Sequence, residues 1–163
     1  MSLSMSQSSI PLFLRGLRNL SAILEKGAAH GDPQELAEAR LAPDMLTLAG
    51  QVQRASDAAK ACAARLSGSE VPSFPDTEKT FPELQARVQK TIDYLKSVPA
   101  ATIDGSEERE VRFKAGQNEY VITGAQYLQG FAIPNFFFHM TVAYAILRHK
   151  GVPLGKMDFL GRR

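Results

Sequence analysis

Asn135 and His139 stand four residues apart in the run Pro134-Asn-Phe-Phe-Phe-His-Met140, where every other residue is apolar. On an α-helix that spacing turns both side chains to the same side. A buried imidazole or amide left without a partner costs about 1–3 kcal/mol, so polar groups on another element are expected to face them. Gln51 is the first candidate, because it lies at the edge of an apolar stripe between Leu48 and Ala55; Gln53 and Asp57, on the adjacent face, come second. Tyr144, five residues beyond His139, can offer a phenol to the same cavity. Such a site would use His139 as acid or base, with the amides orienting a substrate or polarising a carbonyl. The same residues also make a satisfied polar cluster whose role is to set helix register.

Other catalytic patterns are missing from the sequence. There is no second histidine four residues from His139, no acidic pair on one helical face, and no Gly-rich loop between a strand and a helix. Cys62 is the single cysteine, inside an alanine-rich helical stretch with nothing nearby to lower its pKa, and it reads as an inert thiol in a reducing compartment. His30 lies in a glycine-flanked loop and His149 at a helix end, where a cation suits the helix dipole.

The 19 Lys and Arg balance 17 Asp and Glu to a formal charge of +2. The basic residues are dispersed rather than gathered in the stripe that a phosphate backbone requires, so no nucleic-acid partner is expected. Arg162 and Arg163 read as a solvated basic end. Met1–Ser9 is serine-rich, without the basic and apolar regions of a signal peptide, and is expected to be disordered. Tyr120–Leu147 carries no Asp, Glu, Lys or Arg, but Pro134, Asn135 and His139 interrupt its apolar runs. Those runs fall short of the roughly 20 residues that a bilayer needs, so the segment is expected to be buried in protein rather than lipid.

Helical spacing organises most of the chain. Ile10, Phe13, Leu14, Leu17 and Leu24 predict a first helix over Ser9–Ala28, with Ser9 as cap and Pro11 in the first turn. Asp32-Pro-Gln-Glu35 predicts a short capped turn. A second helix is predicted from near Pro43 to Gly68, and its alanines imply a close neighbouring helix. Thr80-Phe-Pro-Glu83 opens a third, with Phe81, Leu84, Val88, Ile92 and Leu95 inward, Arg87 outward, and Pro99 as its stop. Alternation of Val111 and Phe113, then Tyr120 and Ile122, around Ala115-Gly-Gln-Asn118 predicts a β-hairpin. A short helix is expected after Thr123, and Pro134 is expected to begin a last helix that runs to His149 with no polar face. The apolar tail with Val152, Leu154, Met157, Phe159 and Leu160 is expected to pack over the bundle or against a second copy.

Pro134-Asn-Phe-Phe-Phe-His139, Ala143-Tyr-Ala-Ile-Leu-Arg-His-Lys-Gly151 and Gly155-Lys-Met-Asp-Phe-Leu-Gly161, together with Leu41-Ala-Pro-Asp-Met45, Gln51-Val-Gln53 and Asn19-Leu20, carry a family resemblance. Over nearly its whole length the chain resembles domain-of-unknown-function family 1993, a branch of the DinB-like, YfiT-like superfamily. The resemblance implies an up-down-down-up four-helix bundle, often dimeric in relatives. Many DinB-like proteins hold a divalent metal with one histidine on the second helix and a His-x-x-x-His pair on the last. By the spacing of that motif, the ligand positions fall on Gln51, Asn135 and His139. One histidine of three remains, and amides are poor ligands for zinc or nickel beside imidazole, so the resemblance implies a degenerate metal site.

The resulting expectation is an all-α four-helix bundle over residues 10–163, with a short β-hairpin between the third and fourth helices. It would be a cytoplasmic homodimer, free of cofactor and membrane. The function expected is binding of a small molecule at His139, Asn135, Gln51 and Tyr144, with Gln53 and Asp57 nearby. A non-catalytic dimeric structural or stress-related module is the alternative, and a metal-dependent transferase or hydrolase of the DinB-like type ranks third.

Overall fold

The computed structural model describes residues 3–161. Its elements in chain order are α1 (Met5–Ala28), α2 (Pro33–Glu38), α3 (Leu48–Ser67), α4 (Phe81–Ser97), α5 (Ala100–Ile103), β1 (Glu110–Ala115), β2 (Asn118–Thr123), α6 (Gly124–Tyr127), a π turn (Leu128–Ala132), α7 (Ile133–His149) and α8 (Lys156–Leu160). Four long helices form the bundle. In the ring, α1 lies between α4 and α7, and α3 lies between α4 and α7 on the other side.

Cross-helix contacts give the directions. Ser21 of α1 bonds Gln85 of α4, while Gly27, further along α1, sits on Phe81, so these helices are antiparallel. Gly16 meets Phe136 and Gly27 meets Leu147, so α1 and α7 run parallel. Gln51 pairs with His139 and Arg65 with Tyr127, which makes α3 and α7 antiparallel. Ser56 meets Thr91, and Ser67 lies beside Tyr94 and Ser97, so α3 and α4 run the same way. The result is the up-down-down-up bundle. Because α3 and α4 are parallel, the connection over residues 68–80 must travel back along a helix about 30 Å long, which its extended backbone can span.

Three boundaries differ from the sequence expectation, each for a local reason. The first helix begins at Met5 rather than Ser9, so residues 5–9 are ordered helix; the part of the expected disordered terminus at Met1 and Ser2, like the basic end at Arg162 and Arg163, lies outside the described residues. Ser4 and Gln7 form a capping box there, and the Ser6 N–H donates to Asp104 at 2.9 Å. These contacts satisfy free N–H groups of the first turn and help offset Pro11, which now lies inside the helix. Ser9 is buried, its hydroxyl donating back to the Met5 carbonyl at 2.7 Å.

The second boundary is the start of α3. Thr47, not Pro43, is its cap, accepting from the Gly50 N–H at 3.1 Å, and Asp44 lies before the helix. This places Gln51 in the opening turns of α3. The third is the last long helix. No break occurs at Pro134: α6, the π turn and α7 join into one helix, Gly124–His149. A proline ring clashes with the carbonyl four residues before it in a regular α-helix, and the wider π turn relieves that conflict. Gly124 can start this helix only as glycine, since a Cβ there would lie 2.1 Å from the Ser106 carbonyl oxygen.

At 26 residues, Gly124–His149 is long and apolar enough to cross a membrane by length and composition. It behaves as a core helix. Phe136, Met140, Ala143, Ile146 and Leu147 are fully buried in the core it shares with the other long helices. It is not enclosed on every side, as its composition suggested, because Phe138 is 55% exposed. The hairpin pairs Phe113 with Tyr120 and Val111 with Ile122, and turns Val111 and Phe113 inward as their alternation predicts. The tail folds back onto its own bundle: Val152 and Leu154 are buried, and Phe159 packs on Tyr144 and Phe137.

Candidate functional site

Gln51 and His139 meet directly. The His139 Nδ1 lies 2.8 Å from the Gln51 Oε1, bridging the opening turns of α3 and the middle of α7. The amide of Gln51 is itself aimed, because its Nε2 donates to the Leu46 carbonyl at 3.4 Å. With the nitrogen committed to a carbonyl, the oxygen is left to accept, so Nδ1 carries the imidazole proton and Nε2 keeps its lone pair. Gln51 is only 1% exposed, whereas His139 is half-buried, so the amide lies inside the bundle and the imidazole nearer its surface.

Burial, and to a lesser extent the nearby Arg54 guanidinium, together lower the His139 pKa from the ordinary 6.5 to about 4. The imidazole is therefore neutral near pH 7. Between those two values the unfolded chain binds more protons than the folded one, so the stability conferred by the neutral ring is complete above pH 6.5 and is lost as pH falls toward 4. The thermal midpoint of the protein is expected to drop through this window, and to drop less in His139→Gln, which has nothing to titrate there. Parallel curves for the two proteins would mean that His139 titrates normally.

The other expected members are distributed differently. Asn135 is half-buried, one helical turn before His139, and its side chain makes no hydrogen bond among the described residues. Tyr144 does not join the site: its ring packs edge-on to Phe159, with centroids 5.8 Å apart. Five residues turn a helix by about 500°, so Tyr144 points away from His139 toward the tail. Gln53 and Asp57 also lie elsewhere, in a second polar centre that the sequence reading missed.

That second centre surrounds Arg87, which was expected to face outward and is 3% exposed. Its guanidinium contacts Asp57 at 2.8 Å, Asp76 at 3.0 Å and Glu78 at 3.1 Å, donates to the Pro75 carbonyl at 3.0 Å, and donates from Nε to the Ser56 hydroxyl at 3.1 Å. Lys60 pairs with Asp57, Arg54 pairs with Asp76 and Asp57, and the Gln53 amide donates to Glu78. Three cations (Arg54, Lys60, Arg87) thus face three carboxylates (Asp57, Asp76, Glu78). Phe74 is held beside them, with the ammonium groups of Lys60 and Lys90 at 4.2 and 4.1 Å from its ring centre. This centre fastens the long connection to the seam between α3 and α4. A signal existed in the sequence, in Ser56, Asp57 and Lys60 along one side of α3. Nothing local linked them to the loop acids.

Arg54 connects the two centres, with its ion pairs in one and its field on His139 in the other. Cys62 is fully buried and burial pushes its thiol pKa up, away from nucleophilic use, as its apolar setting suggested. Among the described residues, no three His, Cys, Asp or Glu side chains converge as a metal-holding group. The three positions that the family resemblance assigns to metal ligands are two amides and an imidazole whose Nδ1 is already bonded to one of them. That donor set does not fit a tightly held divalent transition metal.

A family model described as "Domain of unknown function (DUF1993)" matches residues 5–160. The crystal structure of a DinB family member protein from Shewanella denitrificans is 35% identical, with a TM-score of 0.87, and the match covers 97% of this chain and 92% of that one. No curated protein matches the sequence.

Proposed function

The chain belongs to the DUF1993 family within the DinB-like four-helix-bundle superfamily, and from that premise we propose that it is a metal-independent binding protein that holds a small, uncharged molecule through His139. The observation that carries the reading is the Gln51–His139 hydrogen bond. It holds the imidazole in the tautomer that offers Nε2 as an acceptor at a half-buried position. A hydroxyl, amide or thiol hydrogen on a ligand can be accepted there, and Asn135 is placed on the same side of the helix for a second contact. Leu46 and Phe138 flank the pair and supply apolar surface, which ligand sites combine with a few polar groups.

The low pKa of His139 favours recognition over proton transfer. A general base works best with a pKa near the operating pH, and an imidazole poised near 4 is a weak one at neutrality. Loss of two of three histidines at the metal positions argues in the same direction against the transferase and hydrolase chemistry known elsewhere in the superfamily.

A melting screen of the untagged protein against uncharged hydrogen-bond donors tests the proposal. A binder at 100 times its Kd should add roughly 2.7 kcal/mol to wild type, and this gain should vanish in His139→Ala and shrink in Asn135→Ala. If stabilising compounds act equally on wild type and both variants, the site lies elsewhere. Stoichiometric zinc or nickel in the same protein by elemental analysis would overturn the metal-independent reading.

A second reading has its own support. Leu41, Leu46 and Phe138 are exposed apolar residues, and a non-catalytic homodimer could cover them. Light scattering that gives a monomer mass at working concentration would remove that alternative.

A further inference from the structure

A cavity of about 360 Å³ opens on the opposite side of α7 from the His139–Gln51 pair, between α1, α7 and α8. Its walls are mainly apolar, formed by Leu12, Phe137, Met140, Phe159 and Leu160, and Arg15 and Asn19 are the residues with polar side chains in its lining. The size lies within the range of small-molecule sites.

Both polar residues are held in place by the tail. The Arg15 Nη2 donates to the Leu160 carbonyl at 2.6 Å, and the Asn19 Nδ2 donates to the Phe159 carbonyl at 3.0 Å. Lys26 pairs with Asp158 at 2.7 Å and fixes α8 against α1. One N–H of the guanidinium is thus committed to backbone, which orients the group. The rest remain, and among the described residues Arg15 makes no ion pair with a carboxylate. An oriented guanidinium with spare donors at the rim of an apolar cavity matches a carboxylate carried on a hydrocarbon chain.

We propose that this cavity binds an amphipathic monocarboxylate of the medium-chain fatty acid class, with the acyl chain against Phe137, Met140 and Phe159 and the carboxylate on Arg15. An amine of the same chain would meet a like charge. An alcohol would keep the apolar contact and lose the ion pair. The proposal is independent of the reading at His139, because the two sites share no residue.

Calorimetric titration of the full chain with octanoate, octanol and octylamine tests it. Octanoate is expected to bind roughly tenfold or more tightly than octanol, the worth of about one charge-assisted contact, and octylamine is expected not to bind. Arg15→Gln, a substitution at an exposed position, should bring octanoate down to the octanol level and leave octanol unchanged. Leu12→Trp, which narrows the cavity, should weaken both. Octanoate binding no tighter than octanol, binding unaffected by Leu12→Trp, or no heat with any of the three would overturn the proposal. His139→Ala should leave the octanoate titration unchanged, so failure here is distinguishable from failure at His139.

Discussion

Arg87→Ala is expected to lower the unfolding free energy by about 3–5 kcal/mol, the range observed when one partner of a buried ion pair is removed. The reason is the geometry around the guanidinium. Asp57, Asp76 and Glu78 converge on it from α3 and from the connection after α3, and the Ser56 hydroxyl accepts from its Nε in the α3–α4 seam. Without the cation, three carboxylates lie close together, with Arg54 and Lys60 at the edge as the remaining counter-charges. Like charges then repel, and the carboxylate oxygens lose donors that they now share. Arg87→Lys should fall between alanine and wild type, because it keeps the charge but cannot reach Asp57, Glu78 and Ser56 at once from a planar fork. Urea denaturation monitored by far-UV circular dichroism measures both. Limited proteolysis should also cut near residues 70–78 faster in the alanine variant, since the connection loses its anchor. A loss below about 1 kcal/mol for Arg87→Ala would mean that the cluster is surface electrostatics of ordinary weakness.

The second large effect is at the contact between α1 and α7. Phe136 is fully buried, its ring edge-on to Phe13 with centroids 5.1 Å apart, and it lies over Gly16, where a Cβ would come within 2.5 Å of it. Phe136→Ala is expected to cost about 3–5 kcal/mol through lost burial and the void left behind. Gly16 supplies the sharper test. In the wild type, Gly16→Ala should destabilise, because overpacking costs about 1–3 kcal/mol and outweighs the gain of about 1 kcal/mol from replacing glycine inside a helix. In the Phe136→Ala background the methyl enters space the ring has vacated, so Gly16→Ala should stabilise. A thermodynamic cycle of the four proteins reads this sign change directly. If Gly16→Ala has the same effect in both backgrounds, the two residues are not in the contact described.

Both effects bear on the candidate site. Phe136 sits between Asn135 and His139 in sequence, so its packing against α1 sets the rotation of α7 that turns those two toward α3. The Arg87 centre holds the parallel pair α3 and α4 together just beyond Gln51. The half-exposed imidazole is therefore placed by two rigid contacts on buried sides of the helices that carry it.

How much of this was legible in the sequence varies with the range of the interaction. Capping boxes at Thr80–Glu83 and the alternation around Gly116 act within a few residues, and both form where the sequence puts them. The apolar stripes of the four helices are equally local in origin, since helical period alone selects the buried face. The pairing of Gln51 with His139 also followed, because two polar residues on buried stripes need each other more than either needs a particular rotamer. Where local signals competed, the reading went astray. Pro43 and Asp44 resemble a helix start, but the Thr47 hydroxyl makes the capping bond. Pro134 resembles a helix start as well, and a π turn lets the helix run through it.

By itself, then, the chain determined its helices, its hairpin, its family and one polar pair, all of which rest on short-range periodicity or on motifs of adjoining residues. Only the tertiary structure decided that Arg87 is buried, that Gln53 and Asp57 serve it rather than His139, and that Tyr144 faces the tail. The physical reason is the same for each. A charged or aromatic side chain is placed by partners dozens of residues away, and whether those partners arrive depends on the path of a connecting segment that carries no periodic signal.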